Sequence, residues 1–276
     1  MPELPEVEVA ARNLRRWGLG RRVESVSVDP RARRILRPAT PRAFSAGLRS
    51  ATIRAVGRAG KQLLVTLEGA DGPLGLLSHL GMTGKWVRRG GAEPVPSHSR
   101  VSLGLDDGAT LHYRDPRLFG RLRLVPGARF GEVAELRALG PDPLEQGVDP
   151  VRLAEALARS RRPVKVLLLD QRLLPGVGNI YAGEALFRAR IDPRRPASSL
   201  SRGEVRRLAR AILDAFRHAI ALEEGPEITY VEEPGAPNPF LVYGREGERC
   251  PRCRKARIAR TVQAQRSTYH CPACQG

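Results

Sequence analysis

Four cysteines crowd the last 27 residues of the 276-residue chain, as Cys250-Pro251-Arg252-Cys253 and Cys271-Pro272-Ala273-Cys274 with 17 residues between the two pairs. This spacing constrains the fold more than any other local feature, because four thiolates around one ion pin two loops to a single point. One structural zinc ion is the expectation, held by Cys250, Cys253, Cys271 and Cys274, since four protein ligands leave no position open for substrate. Two disulfides are the alternative, but nothing in the chain points to an oxidising compartment. Around the cysteines, Arg245, Arg249, Arg252, Arg254, Lys255, Arg257, Arg260 and Arg266 face only Glu246 and Glu248. A metal-held hairpin of that charge reads either as a phosphate-contacting finger or as a structural knuckle with a solvated basic face.

Charge makes the second constraint. The 47 Lys and Arg outnumber 29 Asp and Glu, for a net +18, and such an excess implies a polyanionic partner, most often nucleic acid. A GC-rich coding sequence accounts for arginine over lysine better than for the size of the excess. Hydrophobic residues are 41% of the chain, enough for packed cores, and the length suits two ordinary domains. No apolar run approaches the ~20 residues of a membrane span. Acids and prolines stand where a signal peptide would carry its charged and apolar regions, so no membrane association and an intracellular location are expected.

Along the chain the hydrophobic period changes twice. Leu4, Val7, Ala11 and Leu14 form a helical stripe, predicting a helix from Glu3 to about Trp17. From about residue 20 to 130 the period is two, as in Val101-Ser102-Leu103-Gly104-Leu105 and Arg121-Leu122-Arg123-Leu124-Val125, punctuated by Gly and Pro, which predicts a β-sandwich or barrel. Leu139-Gly140-Pro141-Asp142-Pro143 breaks the pattern as a linker. Beyond it Val151, Leu153 and Leu157 mark one helix and Leu208, Ile212, Phe216 and Ile220 another. The stretch from Glu224 to Pro239 reads as a loop. Gly176-Val177-Gly178-Asn179 is a glycine-rich turn entering a further helix; it suits a DNA phosphate at the helix N-terminus or a plain connection.

The start of the chain, Met1-Pro2-Glu3-Leu4-Pro5-Glu6, carries chemistry. If Met1 is removed, Pro2 becomes a secondary amine; α-amino groups titrate near ~8 and lysines near ~10.4, so such an amine attacks electrophilic carbon at neutral pH. Glu3 beside it and Glu6 one turn on could move protons. Helix initiation by proline and stabilisation of the helix dipole by acids is the plainer reading. Met82 in His79-Leu80-Gly81-Met82-Thr83-Gly84, with Arg117 and Phe119 in Asp115-Pro116-Arg117-Leu118-Phe119-Gly120, are residue types that wedge into a base stack, although a Met and a Phe near strands are ordinarily core.

Together these segments resemble the bacterial formamidopyrimidine-DNA glycosylase family over nearly the whole chain. The resemblance rests on the N-terminal Met1–Glu8 run, the His79–Gly84 and Asp115–Arg117 motifs, Gly176–Ala182 and the terminal finger; Leu4, where the related endonuclease VIII group typically has glycine, favours the purine-lesion branch. It implies an α+β fold with two domains: an N-terminal helix plus β-sandwich over 1–138, a linker at 139–144, a helix–two-turn–helix domain over 145–240, and a zinc-ribbon-like finger over 241–276. It implies a monomer in the bacterial cytoplasm, at the nucleoid, acting on double-stranded DNA with oxidised bases or abasic sites. By position, Pro2 would attack the sugar C1′, Glu3 would handle protons there, Glu6 would support the site, and Lys61 would contact phosphate by the lesion. His98, Lys165, Asn179, Tyr181 and Arg266 would contact DNA, and Met82, Arg117 and Phe119 would fill the gap left by the flipped base. Base loss, an iminium and β- and δ-elimination would follow.

This chain departs from the family pattern in three places. Arg254 follows Cys253 where glycine is usual, in a finger loop one residue longer. Arg100 stands where a histidine is expected. Ile228-Thr229-Tyr230-Val231-Glu232-Glu233-Pro234 replaces a threonine-rich lesion loop and is shorter, which predicts a more open loop and a relative preference for ring-opened purines. A zinc-finger DNA binder without catalysis and an oxidised-pyrimidine glycosylase are the competing readings, separated by Pro2-Glu3 chemistry and by a panel of lesion duplexes.

Overall fold

The computed structural model describes residues 2–223, 225 and 227–276; Met1, Glu224 and Pro226 lie outside the described residues, and with them the start of the loop expected from Glu224. The chain forms two compact units: one of Met1–Pro2, Glu6–Arg137 and Glu223–Glu232, the other of Glu3–Pro5, Ala138–Leu222 and Glu233–Gly276. The domain boundaries expected from sequence are consecutive, whereas these units exchange two short segments.

The first unit contains most of α1 (Leu4–Gly18), then β1 (Val23–Val28), a 3-10 turn at Pro30–Arg34, α2 (Pro41–Leu48), seven more strands and α3 (Ala134–Arg137). The strands are β2 (Thr52–Ala59), β3 (Gln62–Gly69), β4 (Gly72–His79), β5 (Lys85–Arg89), β6 (Ser99–Leu105), β7 (Thr110–Arg114) and β8 (Arg121–Pro126). They make two antiparallel four-stranded sheets, β1-β6-β7-β5 and β2-β3-β4-β8. Two sheets rather than one closed barrel settle the fold as a sandwich. The sheets meet where Trp86 Nε1 of β5 donates to Ser78 Oγ of β4 at 3.1 Å and Tyr113 OH of β7 donates to the His79 carbonyl at 3.2 Å. Gly18 ends α1 where a Cβ would press on the Ile53 side chain at 2.9 Å. Alternation explains the register: Leu63, Val65 and Leu67 of β3 are buried while Leu64 and Thr66 between them are half-buried.

Residues 227–232 pack onto this unit without regular secondary structure. Ile228 and Tyr230 are buried; Lys85 Nζ donates to the Ile228 carbonyl at 3.0 Å and Tyr230 OH to the Gly84 carbonyl at 2.7 Å. The loop expected to be open is therefore anchored as far as Tyr230.

The second unit comprises α4 (Pro143–Gln146), α5 (Pro150–Ala158), α6 (Val164–Leu168), α7 (Asn179–Ala189), α8 (Arg202–Leu222), the hairpin β9 (Ala259–Gln263) and β10 (Arg266–His270), and α9 (Pro272–Gln275). Helix α5 begins at Pro150 with Asp149 capping Val151 N at 2.8 Å. Leu153 and Leu157 face the core as expected, but Val151 is 65% exposed, because it lies in the first turn on the outer face. Helix α8 starts with a capping box: Ser201 Oγ accepts from Glu204 N at 3.3 Å, and Glu204 Oε2 accepts from Ser201 N at 2.8 Å. Leu208, Ile212, Phe216 and Ile220 of α8 are all buried. No described helix is long and apolar enough to cross a membrane.

Candidate nucleic-acid and catalytic site

In the second unit Glu3 occupies the N-terminus of α7. Its carboxylate accepts from Gly178 N at 2.7 Å, Ile180 N at 2.8 Å and Tyr181 N at 3.3 Å, and the residue is 1% exposed. The glycines make this possible: Gly176 has φ +85° and packs against Leu4, whose amide donates to the Gly176 carbonyl at 3.1 Å, and a Cβ on Gly178 would collide with the Glu3 carboxyl. A helix N-terminus is a ready anion site. The sequence expectation of a DNA phosphate here is corrected for these three amides, because the anion they hold is Glu3.

Lys165 of α6 is 2% exposed and turned inward. Its ammonium donates to Asn179 Oδ1 at 2.7 Å, Thr268 Oγ1 at 2.8 Å and the Ser267 carbonyl at 3.0 Å. Burial pulls its pKa down to about 8 against the raising effect of Glu3, and Arg266 adds to the depression. Asn179 Nδ2 also donates to the Ser267 carbonyl at 3.0 Å, so the start of α7, Lys165 and the finger hairpin form one network. Arg266 opens β10 and is exposed at the hairpin tip. Tyr181, in contrast, is core: its ring stacks edge-on to Phe216 and Phe240 with centroids 5.4 and 5.9 Å away.

The four cysteine sulfurs lie within 4.8 Å of one another. Cys250 Sγ is 3.9 Å from Cys274 Sγ, and Cys253 Sγ is 3.8 Å from Cys271 Sγ. A tetrahedron with ~2.3 Å Zn–S bonds has edges of about 3.8 Å, so the donor set fits one zinc ion and leaves it no open position. The finger is bolted to α7 by contacts that sequence reading missed. Buried Glu184 accepts from the amides of Leu241, Val242 and Tyr243 at 2.9, 2.9 and 3.0 Å, and Arg252 stacks on Phe187 at 4.3 Å. A lone glutamate inside an otherwise apolar helix was the available signal.

In the first unit Pro2 and Glu6 are buried. Lys61 projects from a two-residue turn between β2 and β3, with Gly60 at φ +53°. Arg58, 8% exposed, braces this turn through the Gly60 carbonyl at 3.4 Å and pairs with Glu8 of α1 at 3.1 Å. Burial raises the Glu8 carboxyl, but hydrogen bonds from Arg12 and Arg58 outweigh it and hold it below the usual range. Next to the turn, Gln62 pairs with His79. His79 Nδ1 accepts from Gly81 N at 3.0 Å, which requires a neutral ring and leaves Nε2–H as donor. Burial, then Arg121 and Lys61, lower its pKa to about 4. The sequence reading did not single out His79, although it heads the motif that carries Met82.

Met82 is half-buried, whereas Phe119 is 45% exposed with the Arg117 guanidinium 4.7 Å above its ring. An exposed aromatic capped by a cation is not core, so the plainer reading fails for Phe119. His98 is exposed with φ +61°, and its carbonyl accepts from Asp115 N at 3.1 Å.

Known proteins share this organisation. Residues 1–122 match the formamidopyrimidine-DNA glycosylase N-terminal domain, 139–230 the formamidopyrimidine-DNA glycosylase H2TH domain, and 247–276 the zinc finger found in FPG and IleRS. The chain is 44% identical over 283 residues to the formamidopyrimidine-DNA glycosylase of Thermus thermophilus, covering 100% of this chain and 99% of the relative. The crystal structure of that organism's MutM (Fpg) protein superposes with a TM-score of 0.81 at 42% identity, covering 100% of this chain and 99% of that one. The Lactococcus lactis Fpg complex with DNA containing an abasic site superposes with a TM-score of 0.86 at 29% identity, covering 99% of each chain. With 44% identity over the full length, the fold and a four-cysteine finger all in agreement, the chain belongs to the formamidopyrimidine-DNA glycosylase family.

Proposed function

We propose that the chain is a bifunctional DNA glycosylase and abasic-site lyase of base excision repair, removing oxidised purines such as 8-oxoguanine and formamidopyrimidines from double-stranded DNA. The observation that carries this reading is the Glu3 carboxylate, buried and fixed by three backbone amides in the residue directly after Pro2. A carboxylate so oriented serves proton transfer beside an amine nucleophile, and positioned acid–base groups contribute roughly 10²–10⁴-fold.

Once Met1 is removed, the Pro2 nitrogen attacks C1′ of the extruded nucleotide and the C1′–base bond breaks, the electron pair leaving with the base. Glu3 takes the proton that the Pro2 nitrogen loses after attack and passes it to the sugar ring oxygen as the ring opens, giving an iminium between Pro2 and C1′. Loss of a C2′ proton expels the 3′ phosphate, and a second elimination expels the 5′ phosphate, leaving a one-nucleotide gap. Glu6 supports this site. Lys61 and His98 contact DNA, with the His79 Nε2–H as a further donor beside Lys61. Asn179 and Arg266 contact phosphate. Lys165 and Tyr181 act from inside the protein, Lys165 through Asn179 and the finger hairpin, Tyr181 through the amide it gives to Glu3. Met82, Arg117 and Phe119 fill the gap in the stack. Zinc holds the finger hairpin that presents Arg266. We place the enzyme in the cytoplasm on chromosomal DNA, as a monomer, with the catalytic domain at 1–138, the helical domain at 145–240 and the finger at 241–276.

Borohydride trapping tests the reading. Incubation with an 8-oxoguanine duplex should give a covalent adduct that maps to Pro2, and a retained Met1, which makes the Pro2 nitrogen an amide, should remove the adduct from Pro2. Tight DNA binding with no adduct would instead identify a DNA-binding protein without catalysis.

A further inference from the structure

The turns that carry Met82 and Arg117–Phe119 are far apart in sequence, yet they are built as one body. Gly81, at φ +66°, lies so close to the second turn that a Cβ would sit 2.5 Å from the Phe119 carbonyl carbon and 2.6 Å from Gly120 N. Gly84 and Gly120 both close on the Tyr113 hydroxyl, where any side chain would collide. Burial and the charge of Asp115 push the Tyr113 phenol well above its ordinary range, so it remains a hydroxyl donor to the His79 carbonyl.

At the centre is Asp115, 0% exposed. Its Oδ1 accepts from Thr83 Oγ1 at 2.9 Å and from Arg117 N at 3.2 Å, and its Oδ2 accepts from Gly120 N at 2.8 Å. Its carbonyl accepts from Arg100 Nε at 2.9 Å, and Arg100, 4% exposed, pairs with Asp29 at 3.1 Å. A carboxylate buried this deeply is retained only when its oxygens are satisfied, and here the donors come from both turns.

We propose that Asp115 is the positioning residue of the wedge: through Thr83 on one side and the Arg117 and Gly120 amides on the other, it locks the two turns so that Met82, Arg117 and Phe119 enter the base stack together. This rests on the reading of those three residues as the wedge. Side chains held in place before binding need no ordering on the DNA, which is where preorganisation acts. Arg100, in the position expected to hold histidine, is part of the same brace because its guanidinium joins Asp115 to Asp29.

The test is a stopped-flow record of stack opening in a duplex with 2-aminopurine next to 8-oxoguanine, using Thr83→Val, Thr83→Ser and Met82→Ala. Thr83→Val removes the donor at nearly constant volume and should slow the fluorescence phase about tenfold, the size expected for a hydrogen bond to a charged group. Thr83→Ser, which keeps the hydroxyl, should restore the wild-type rate. Cleavage at an abasic site inside an unpaired bubble, where no stack is opened, should be unchanged by either Thr83 variant. If Met82→Ala slows the phase while Thr83→Val does not, the Asp115 link is not what positions the wedge. Equal slowing by Thr83→Val on the bubble also overturns the proposal, assigning the loss to general damage. If Met82→Ala leaves the phase untouched, it is the wedge reading that fails, and the proposal with it.

Discussion

Glu3 and His79 are each placed by backbone amides, one by a helix N-terminus and the other by the turn that follows its strand. For His79 the arrangement has a pH signature. Its folded pKa of about 4 lies below the ordinary 6.5 of an unfolded chain, so the folded state resists a proton that the unfolded chain accepts. The resulting stability is fully present above about pH 6.5 and is lost as pH falls towards 4, on the order of 3 kcal/mol at most for this residue. His79→Asn keeps an acceptor for Gly81 N but cannot be protonated in that window. Thermal melts from pH 7 to pH 4 should therefore show a shallower decline for the variant than for the wild type. His112 and His270, also lowered by burial, leave part of the slope in place. Identical declines would remove His79 as a cause. Nothing in the order of residues discloses this, because the depression comes from burial and from Lys61 and Arg121 on neighbouring segments.

At the scale of elements, periodicity located α1, α5 and α8 and the strands around residues 101 and 121, since each buries one face against a single core. The local departures are where tertiary demands prevail. Arg254, at the position where the resemblance led us to expect glycine, keeps the left-handed conformation at φ +56°, with its amide donating to the Cys250 carbonyl at 2.9 Å. A non-glycine residue there costs about 1 kcal/mol. Arg254→Gly should accordingly slow zinc loss to a chelator and raise the melting temperature of the finger, and an unchanged rate would show that the loop relaxes around arginine without strain. Glu184 illustrates the opposite case, an acid in an apolar stretch whose purpose emerges only when the amides of 241–243 converge on it. Glu184→Gln keeps one oxygen for the Val242 and Tyr243 amides but replaces the oxygen that accepts from Leu241 N with a donor, and should destabilise the finger–α7 junction by about 1–3 kcal/mol, read as lost hydrogen-exchange protection at Leu241.

For the whole molecule, the net charge of +18 predicts DNA affinity that falls steeply with salt. Arg266→Ala should lower affinity for all sequences alike and flatten the salt slope by about one unit. Chelation of zinc should unfold the β9–β10 hairpin, since zinc-binding free energy is folding free energy in such a module, while the β-sandwich persists. Affinity that survives chelation would show that the finger does not carry the phosphate contact.

What the order of residues determined is whatever local spacing encodes: a four-thiolate zinc site, a basic polyanion binder, a strand-rich N-terminal part before a helical one, and the Pro2-Glu3 pair on which the proposed amine chemistry rests. Those signals are short-range because ligand spacing, hydrophobic period and charge need no partner from elsewhere to be read. The tertiary structure alone decided what the glycine-rich turn holds, which of the named residues face solvent, and how the turns of Met82 and of Arg117–Phe119 are joined. Glu3 rather than phosphate occupies the α7 amides, Lys165 and Tyr181 turn inward while Phe119 turns out, and Asp115 links two turns. These outcomes depend on hydrogen bonds and burial between segments distant in the chain, and the energies that select them exist only once the backbone has brought those segments together.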